Sequence, residues 1–428
     1  MTTANFEFLK AAEPELGPDH RPQSIEEIDV RQSILEDLAL KILYMTGTLS
    51  ILELSEKIRL SFEVAKELSF QLRAELLCQV TGMHGQIPQI AITSEGRSRA
   101  TELLSRNHYN GPAPISLESY VEQVRKQSAK KVVVHEEDIT RAFAHLVIEK
   151  GMLRQLGTAL NSGSSVFLYG PPGTGKTTVA ETLSRVIACD EIWIPYAVEV
   201  DGQIITVFDP SIHKRIEEAD PKEHDERWVL CQRPAVMVGG ELTAEMLDLQ
   251  FNPTTKFYVA PAQMKANNGV LIIDDFGRQR IRPEDLLNRW VVPLDRRIDF
   301  LALAGGKKIE VPFEMLVVFA SNMDPAELVD ACFLRRIQTK IKIGAATDQQ
   351  FCEILHRYTD EHQVGFDPRV PKDLIDFIRN TLKQELRPCH PRDIVNQVLW
   401  AAQYEGKKPY LDHISMIQAV EAYFLPRA

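Results

Sequence analysis

The sequence is poor in cysteine and lacks long apolar runs. Its six cysteines include no C-x-x-C pair, and the spacing of one candidate zinc set matches no common zinc site. That set is Cys352, His356, Cys389 and His390. The apolar runs 269–273 and 315–320 are far shorter than the ~20 residues of a membrane helix, and residues 1–17 lack a secretory-signal pattern. We therefore expect buried strands rather than membrane insertion, and a reduced, cytoplasmic setting.

The sequence also lacks an excess of basic residues. It has 49 Lys and Arg against 60 Asp and Glu, a formal net charge of -11. A chain built mainly to grip nucleic acid would concentrate positive charge, so that class is disfavoured. Apolar residues make up 44% and charged residues 25%, as in ordinary globular proteins. A length of 428 residues predicts about two to four domains.

The periodicity of apolar residues divides the chain into five parts. The first part has no sustained pattern, the second shows three helices followed by a hairpin, and the fourth alternates strands with helices. Breaker residues around 110–114 mark the start of the third part. We predict a flexible leader (1–24), a winged-helix-like α+β domain (25–110), a linker helix (111–139), an α/β core (140–344) and a helical lid (345–428).

The third helix of the predicted winged helix, at 62–77, is slightly acidic. Its charged residues are Glu63, Glu67, Glu75, Lys66 and Arg73. Winged helices often bind DNA through this helix, but a helix that faces phosphates should carry net positive charge. The charge therefore favours contact with protein over contact with nucleic acid.

The most specific motif is a phosphate-binding loop of the form G-x-x-x-x-G-K-[ST]. An apolar strand (166–169) leads into it and a helix from Thr178 leads out. The loop consists of Gly170, Pro171, Pro172, Gly173, Thr174, Gly175, Lys176 and Thr177, and Thr178 at the start of the helix is expected to bind the nucleotide with them. Its glycines let backbone N–H groups approach phosphates at a helix N-terminus. Lys176 is expected to reach the β- and γ-phosphates of ATP, and Thr177 to bind Mg²⁺.

Two carboxylates follow the buried strand 271–273. Strand-end aspartates are common turn formers, but downstream of a phosphate-binding loop they predict a catalytic role. Asp274 is expected to hold Mg²⁺, and Asp275 to act as the general base toward the attacking water.

These two motifs resemble those of the AAA+ ATPase superfamily. The resemblance extends over 140–428 and implies a P-loop parallel sheet with a C-terminal helical lid. It includes an apolar strand that ends in Asn322, similar to sensor 1, and an arginine-finger-like segment with Arg336 favoured and Arg335 second. Arg392 lies in a segment similar to sensor 2. The resemblance implies that Asn322 positions water, that the finger acts on a neighbouring subunit, and that Arg392 reaches the γ-phosphate.

Two further features resemble one branch of that superfamily, the MoxR-like ATPases with a pre-sensor-1 hairpin. One is a strand–Gly-Gly–strand pattern at 296–311, and the other is the long stretch between the two motifs, with an acidic segment at 209–227. The resemblance implies a ring, with six subunits expected, and hairpins that face a pore or a protein partner. The superfamily usually has Asp-Glu where this chain has Asp274 and Asp275, and the shorter side chain predicts slow hydrolysis.

Three functions remain open at this point. The first is an ATP-hydrolysing, chaperone-like motor that remodels or assembles a protein partner. The second is an ATP-dependent DNA-binding regulator that uses the winged helix. The third is a nucleotide switch with weak hydrolysis.

Overall fold

The computed structural model describes residues 18, 21–128, 133–216, 224–328 and 331–424. Most of the predicted leader and part of the acidic segment therefore lie outside the described residues. The α-helices are α1 Gln32–Thr46, α2 Ile51–Ile58, α3 Phe62–Ala74, α4 Ser94–Arg106, α5 Leu117–Lys126, α6 Glu136–Ala142, α7 Lys150–Ser162, α8 Lys176–Ile187, α9 Ala262–Lys265, α10 Pro283–Arg289, α11 Val291–Arg296, α12 Pro325–Leu328, α13 Ala331–Leu334, α14 Asp348–Glu361, α15 Val370–Asp376, α16 Cys389–Glu405 and α17 His413–Tyr423.

Short strands alternate with these helices. They are β1 Thr48–Ser50, β2 Cys78–His84, β3 Ile87–Ile92, β4 Ile115–Ser116, β5 Val166–Tyr169, β6 Glu191–Pro195, β7 Ala197–Val200, β8 Gln203–Thr206, β9 Trp228–Gln232, β10 Ala235–Val238, β11 Gln250–Asn252, β12 Phe257–Val259, β13 Val270–Ile273, β14 Ile298–Ala302, β15 Lys308–Pro312, β16 Leu316–Ser321, β17 Thr339–Lys342, β18 Gly365–Phe366 and β19 Tyr410–Leu411. No helix among the described residues is long and apolar enough to cross a membrane.

The chain divides into two compact units. The first contains everything described before Val133, together with Ile187–Leu271 and Asp285–Leu316. The second contains Val133–Val186, Ile272–Glu284 and the chain from Val317 onward. The insert between the two nucleotide motifs thus groups with the N-terminal elements. The domain boundaries given by the sequence stay a prediction.

The N-terminal part of the first unit contains the three predicted helices, α1, α2 and α3, followed by the predicted hairpin of β2 and β3. A strand that was not predicted, β1, lies between α1 and α2 and pairs with β3, so the antiparallel sheet has the order β1-β3-β2. Helix α2 begins with a capping box, in which Ser50 and Glu53 satisfy each other's backbone N–H groups. Side chains at helical spacing, such as Leu54 and Ile58, are buried in one core with Leu35 and Ile90.

The hairpin of β14 and β15 is present, and its inner face is buried. The two strands pair in register from Ile298 and Pro312 to Ala302 and Lys308. Its apolar side chains lie in one core with α5 and the strands of the insert; these are Leu301, Leu303, Ile309 and Val311, all at most 6% exposed. Near the tip, Lys307 pairs with Asp201 in the β7–β8 turn. The hairpin is therefore anchored along its length within the first unit.

A parallel sheet forms the centre of the second unit, with neighbouring strands in the order β13-β16-β5-β17. Strand β5 pairs in parallel with β16 on one side and β17 on the other. Strands β5, β13 and β16 are continuous apolar runs, as is typical of parallel strands with both faces covered, whereas β17 has only Ile341 buried. The rings of Phe167, Phe276 and Phe319 pack against one another at centroid distances of 5.1 to 5.9 Å. They join β5, β16 and the turn after β13 in one aromatic cluster.

Four helices at the C-terminus enclose a separate core. These helices are α14 to α17, and α15 continues beyond Asp376 as the π-helical segment Phe377–Thr381. Helix α16 begins at Cys389, and Pro391 lies in its first turn. Proline is tolerated there because N–H groups in the first turn have no intrahelical partner.

Candidate functional site

The phosphate-binding loop connects β5 to α8, as the sequence predicts. Gly170 has φ +148°, and a Cβ there would lie 2.0 Å from the carbonyl oxygen of Ile343. Gly173 has φ +79°, and a Cβ there would lie 2.6 Å from Cys389 Sγ. Both positions require glycine for conformation and for space. The helix begins at Lys176, two residues before the predicted Thr178, so its N-terminal N–H groups belong to the loop.

Lys176 contacts the backbone of the loop, and Thr177 contacts one of the two predicted carboxylates. Lys176 Nζ donates to the carbonyl oxygens of Gly170 and Pro171, at 3.0 and 2.8 Å. Burial lowers the pKa of the Lys176 ammonium, while the carboxylates of Asp275 and Asp274 oppose that shift. Thr177 Oγ1 lies 3.0 Å from each carboxylate oxygen of Asp274. A hydroxyl and a carboxylate this close form the oxygen pair that Mg²⁺ prefers in P-loop proteins.

Asn322 lies beside the loop because of the strand register. Tyr169 pairs with Ser321, so Gly170 and Asn322 are the next residues at the same sheet edge. Asn322 Nδ2 donates to Asp275 Oδ1 at 2.8 Å. The structure therefore joins the predicted sensor residue directly to the predicted base.

Asp275 adopts a left-handed backbone conformation, with φ +49°. Asp and Asn tolerate this region better than most residues. A tight turn follows: the Arg278 N–H donates to the Asp275 carbonyl at 3.0 Å, and the Phe276 N–H donates to Ala320 O at 2.7 Å. The Asp275 carboxylate is presented by this turn rather than by an extended strand end.

Two side chains that the sequence analysis did not identify form hydrogen bonds with this turn. Gln279 accepts from the Gly277 N–H at 2.8 Å and donates to the Asp274 carbonyl at 2.7 Å. Ser321 Oγ donates to the Phe276 carbonyl at 2.7 Å. Short polar residues near a strand end are common, and no spacing rule singles these two out.

The loop, the two aspartates and Asn322 line one cavity of about 900 Å³ within the second unit. This is a usual size for a small-molecule site. Its polar lining includes Lys176, Asp274, Asp275 and Asn322, and Arg278 adds a cation that the sequence analysis did not identify. The lining also contains apolar and aromatic side chains that were missed; these include Leu146, Val147, Ile148, Met152, Ile354 and Tyr358. The cavity thus offers both polar groups and apolar surface to a ligand.

Arg392 lines the same cavity, as the resemblance implies. Its Nε donates to Asp393 Oδ1 at 2.9 Å, and its side chain is 58% exposed. Burial lowers the pKa of the Arg392 guanidinium, but the hydrogen bond and charge of Asp393 outweigh burial and raise it. The predicted sensor 2 residue is therefore at the cavity and charged.

Arg335 and Arg336 lie elsewhere in the second unit. Neither is among the residues that line the cavity. Arg335 is exposed and Arg336 is half-buried, and the Arg336 carbonyl accepts from Ser165 Oγ at 3.2 Å. Within this chain the two arginines are thus separate from the nucleotide-type cavity that they were predicted to serve in a neighbour.

Comparison with known proteins gives partial matches. A family described as "Domain of unknown function (DUF8689)" matches residues 347–422, in the helical lid. The vesicular-fusion protein sec18 of Schizosaccharomyces pombe is 31% identical over 85 residues, which is 20% of this chain and 10% of that protein. The chain therefore matches about a tenth of the length of this curated relative.

Solved structures give weak overall similarity. NtrX from Brucella abortus in complex with ATP is 14% identical, with a TM-score of 0.39 over 72% of this chain and 61% of that chain. The RuvB Holliday junction branch migration motor of Thermotoga maritima is also 14% identical, with a TM-score of 0.38 over 64% of this chain and 69% of that chain. Since both TM-scores are below 0.5, the functional reading rests on this chain's own geometry.

The predicted fold class is confirmed: the chain has a mixed α/β fold with a parallel sheet of P-loop type. Its site also fits a magnesium nucleotide. The loop supplies N–H donors and an ammonium, and Thr177 with Asp274 supplies hard oxygen ligands.

Proposed function

We propose that the chain is a magnesium-dependent ATPase of the AAA+ superfamily. The observation that carries the proposal is the convergence of Lys176, the Thr177–Asp274 pair and the Asn322–Asp275 pair in one cavity. The loop and Lys176 bind the β- and γ-phosphates, and Thr177 and Asp274 would hold Mg²⁺, which would supply positive charge to the phosphate oxygens.

Hydrolysis would proceed by attack of water on the γ-phosphorus. Asp275 accepts a proton from that water, a new P–O bond forms, and the bond between the γ-phosphorus and the β–γ bridging oxygen breaks to leave ADP. Asn322 holds the Asp275 carboxylate in place for the proton transfer. Arg392, at the phosphate side of the lid, stabilises the transferred phosphoryl group.

Arg336, with Arg335 as the second candidate, is proposed to complete the site of a neighbouring copy. Its position outside the cavity of its own chain supports action in trans. The proposed assembly is therefore a ring of like subunits, with six as the expected number.

The test is ATP hydrolysis measured against protein concentration, with Lys176→Ala as the blank. A specific rate that rises steeply with concentration supports a shared site, and Arg336→Ala should then abolish turnover while ATP binding is kept. Full turnover by Arg336→Ala would exclude the arrangement in trans. A wild-type rate no greater than the blank at every concentration would count against ATPase activity of the isolated chain.

We propose a protein, rather than a nucleic acid, as the substrate of this motor. On α3, Phe70 is 65% exposed, and Lys66 already pairs with Glu63 at 3.1 Å. Glu67 is also occupied, by the Ile25 N–H at 3.2 Å. An exposed aromatic ring on a helix whose lysine already pairs with a carboxylate suits a protein contact better than a phosphate backbone.

The DNA-binding alternative rests on the order of elements from α1 to α4, which suits a winged helix. The fluorescence anisotropy of a labelled DNA duplex, measured at low salt, distinguishes DNA binding from protein binding. Binding that weakens steeply with salt and with Lys66→Glu would favour DNA. Loss of a captured protein partner with Phe70→Ser, without any DNA binding, would favour protein.

The switch alternative rests on Asp275, whose carboxylate is one methylene shorter than that of the usual Glu. Its left-handed backbone and its bond to Asn322 are consistent with a positioned base, so we place hydrolysis first. Single-turnover hydrolysis of bound ATP decides between the two, since a switch with weak hydrolysis would release most of its bound ATP before cleaving it. The MoxR-like branch and a cytoplasmic setting complete the proposal, supported by the hairpin and by the sparse cysteines.

A further inference from the structure

The end of the last helix contacts the cavity-lining arginine through a carboxylate. The Tyr423 hydroxyl donates to Asp393 Oδ2 at 2.9 Å, and Arg392 Nε donates to the other oxygen, Oδ1, at 2.9 Å. Asp393 thus bridges α17 to Arg392. Burial, with the Asp393 carboxylate second, raises the pKa of the Tyr423 phenol, so it stays a donor at every ordinary pH.

The way in which Arg392 is bound leaves most of its donors available. A guanidinium has five N–H groups, of which four are on the two terminal nitrogens. Only Nε is bonded to Asp393; the terminal nitrogens make no hydrogen bond with any residue that the structure describes. A carboxylate free to rotate would instead favour a two-pronged pair with the terminal nitrogens. The Tyr423 hydroxyl, by holding Oδ2, opposes that rotation.

The N-terminal end of α16, which carries Arg392 and Asp393, is held in place by contacts on two sides. One of these contacts is with the phosphate-binding loop. The Cys389 N–H donates to the Gly173 carbonyl at 3.2 Å. On the other side, the buried His390 ring packs on Phe424 at 5.2 Å and on Tyr423 at 6.0 Å between centroids. The aromatic contacts seat α17, and the hydroxyl then acts at a defined distance from the loop.

We propose that Tyr423 and Asp393 are positioning residues that hold Arg392 with its terminal nitrogens directed to the γ-phosphate, so that the C-terminal helix sets the preference for ATP over ADP. The inference rests on the proposed function, because it assigns Arg392 to the third phosphate. It makes the last described turn of the chain part of nucleotide discrimination, although Tyr423 touches no nucleotide itself.

The test is the ratio of the dissociation constants for ADP and for adenylyl imidodiphosphate, a triphosphate that resists hydrolysis, measured with Mg²⁺ by calorimetry. Tyr423→Phe keeps the ring that packs on His390 and removes only the hydroxyl. We expect it to weaken triphosphate binding about three- to ten-fold, less than the full effect of a hydrogen bond to a carboxylate because Arg392 is kept and only its orientation is released, with ADP binding unchanged. Tyr404→Phe, at a 94% exposed tyrosine of α16, is the matched control and should change neither constant.

A double-mutant cycle separates positioning from a merely structural role. In an Arg392→Ala background, Tyr423→Phe should have no further effect on the ratio. The proposal is overturned if Tyr423→Phe leaves triphosphate binding unchanged, if it weakens ADP binding equally, or if its effect persists in full without Arg392. Failure of the wild-type chain to bind either nucleotide would instead refute the proposed function, which keeps the two failures apart.

Discussion

The hydrogen bond from Asn322 to Asp275 gives a quantitative prediction for Asn322→Ala. The two atoms lie 2.8 Å apart and the acceptor is a carboxylate, and hydrogen bonds to charged groups contribute about 1.5–3 kcal/mol. If that bond holds the base in its productive orientation, its loss should reduce kcat about 10- to 150-fold, at about 1.4 kcal/mol per factor of ten. ATP affinity should change little, because the substitution leaves the phosphate loop intact.

The assay is steady-state phosphate release at saturating ATP, at a protein concentration where specific activity no longer rises. Asp275→Asn is the companion variant, and the double variant should be little slower than Asp275→Asn alone, because both substitutions disable the same base. A kcat for Asn322→Ala within two-fold of wild type would refute the role of this hydrogen bond. Additive losses in the double variant would show that Asn322 acts on something other than Asp275.

Three other substitutions test features of the fold. Gly170→Ala places a Cβ 2.0 Å from a carbonyl oxygen and should destabilise the chain by more than about 2 kcal/mol in urea, whereas Gly305→Ala, where a Cβ meets nothing within 4 Å, should be near neutral. Leu301→Ala, at a fully buried hairpin position, should lower the free energy of unfolding by about 2–5 kcal/mol. The control Phe300→Ala, at a 46% exposed position, should change it little, and equal effects of the two substitutions would mean that the hairpin is not anchored. Burial, followed by Arg387, lowers the pKa of His390 to about 4. As the pH falls, the unfolded chain therefore binds this proton before the folded chain does. The free energy of unfolding decreases between pH 6.5 and 4 by on the order of 3 kcal/mol. In thermal melts, His390→Gln should reduce the decrease of Tm over this pH range.

The sequence predicted the polar residues of the cavity better than its apolar lining residues. The motif at 170–177 specifies the loop because only glycine meets its backbone demands, and the register of β5 with β16 brings Asn322 to the loop as the resemblance implies. The apolar lining residues, such as Val147 and Met152, were missed because they have no polar group and belong to no motif. Gln279 was missed because its partners are backbone atoms made available by the turn after Asp275.

The arrangement of the insert was also beyond the sequence. The pattern at 296–311 gave the hairpin, but burial of Leu301 and Val311 against α5 depends on contacts between segments far apart in the chain. Local periodicity reports which face of an element is apolar, not which partner covers it. The resemblance implied a hairpin facing a pore or a partner, whereas the inner face of this hairpin is covered by its own unit.

The left-handed conformation of Asp275 restricts how this position can vary in evolution. At φ +49°, a branched or bulky side chain is penalised by the backbone itself, and among carboxylates Asp bears that penalty best. A change to the longer Glu is therefore less favourable here than a change to Asn, although an unbranched side chain can adopt this region, as Gln363 does at φ +54°. Folding and chemistry here act on the same residue, so substitution surveys should find Asn better tolerated for stability than Glu.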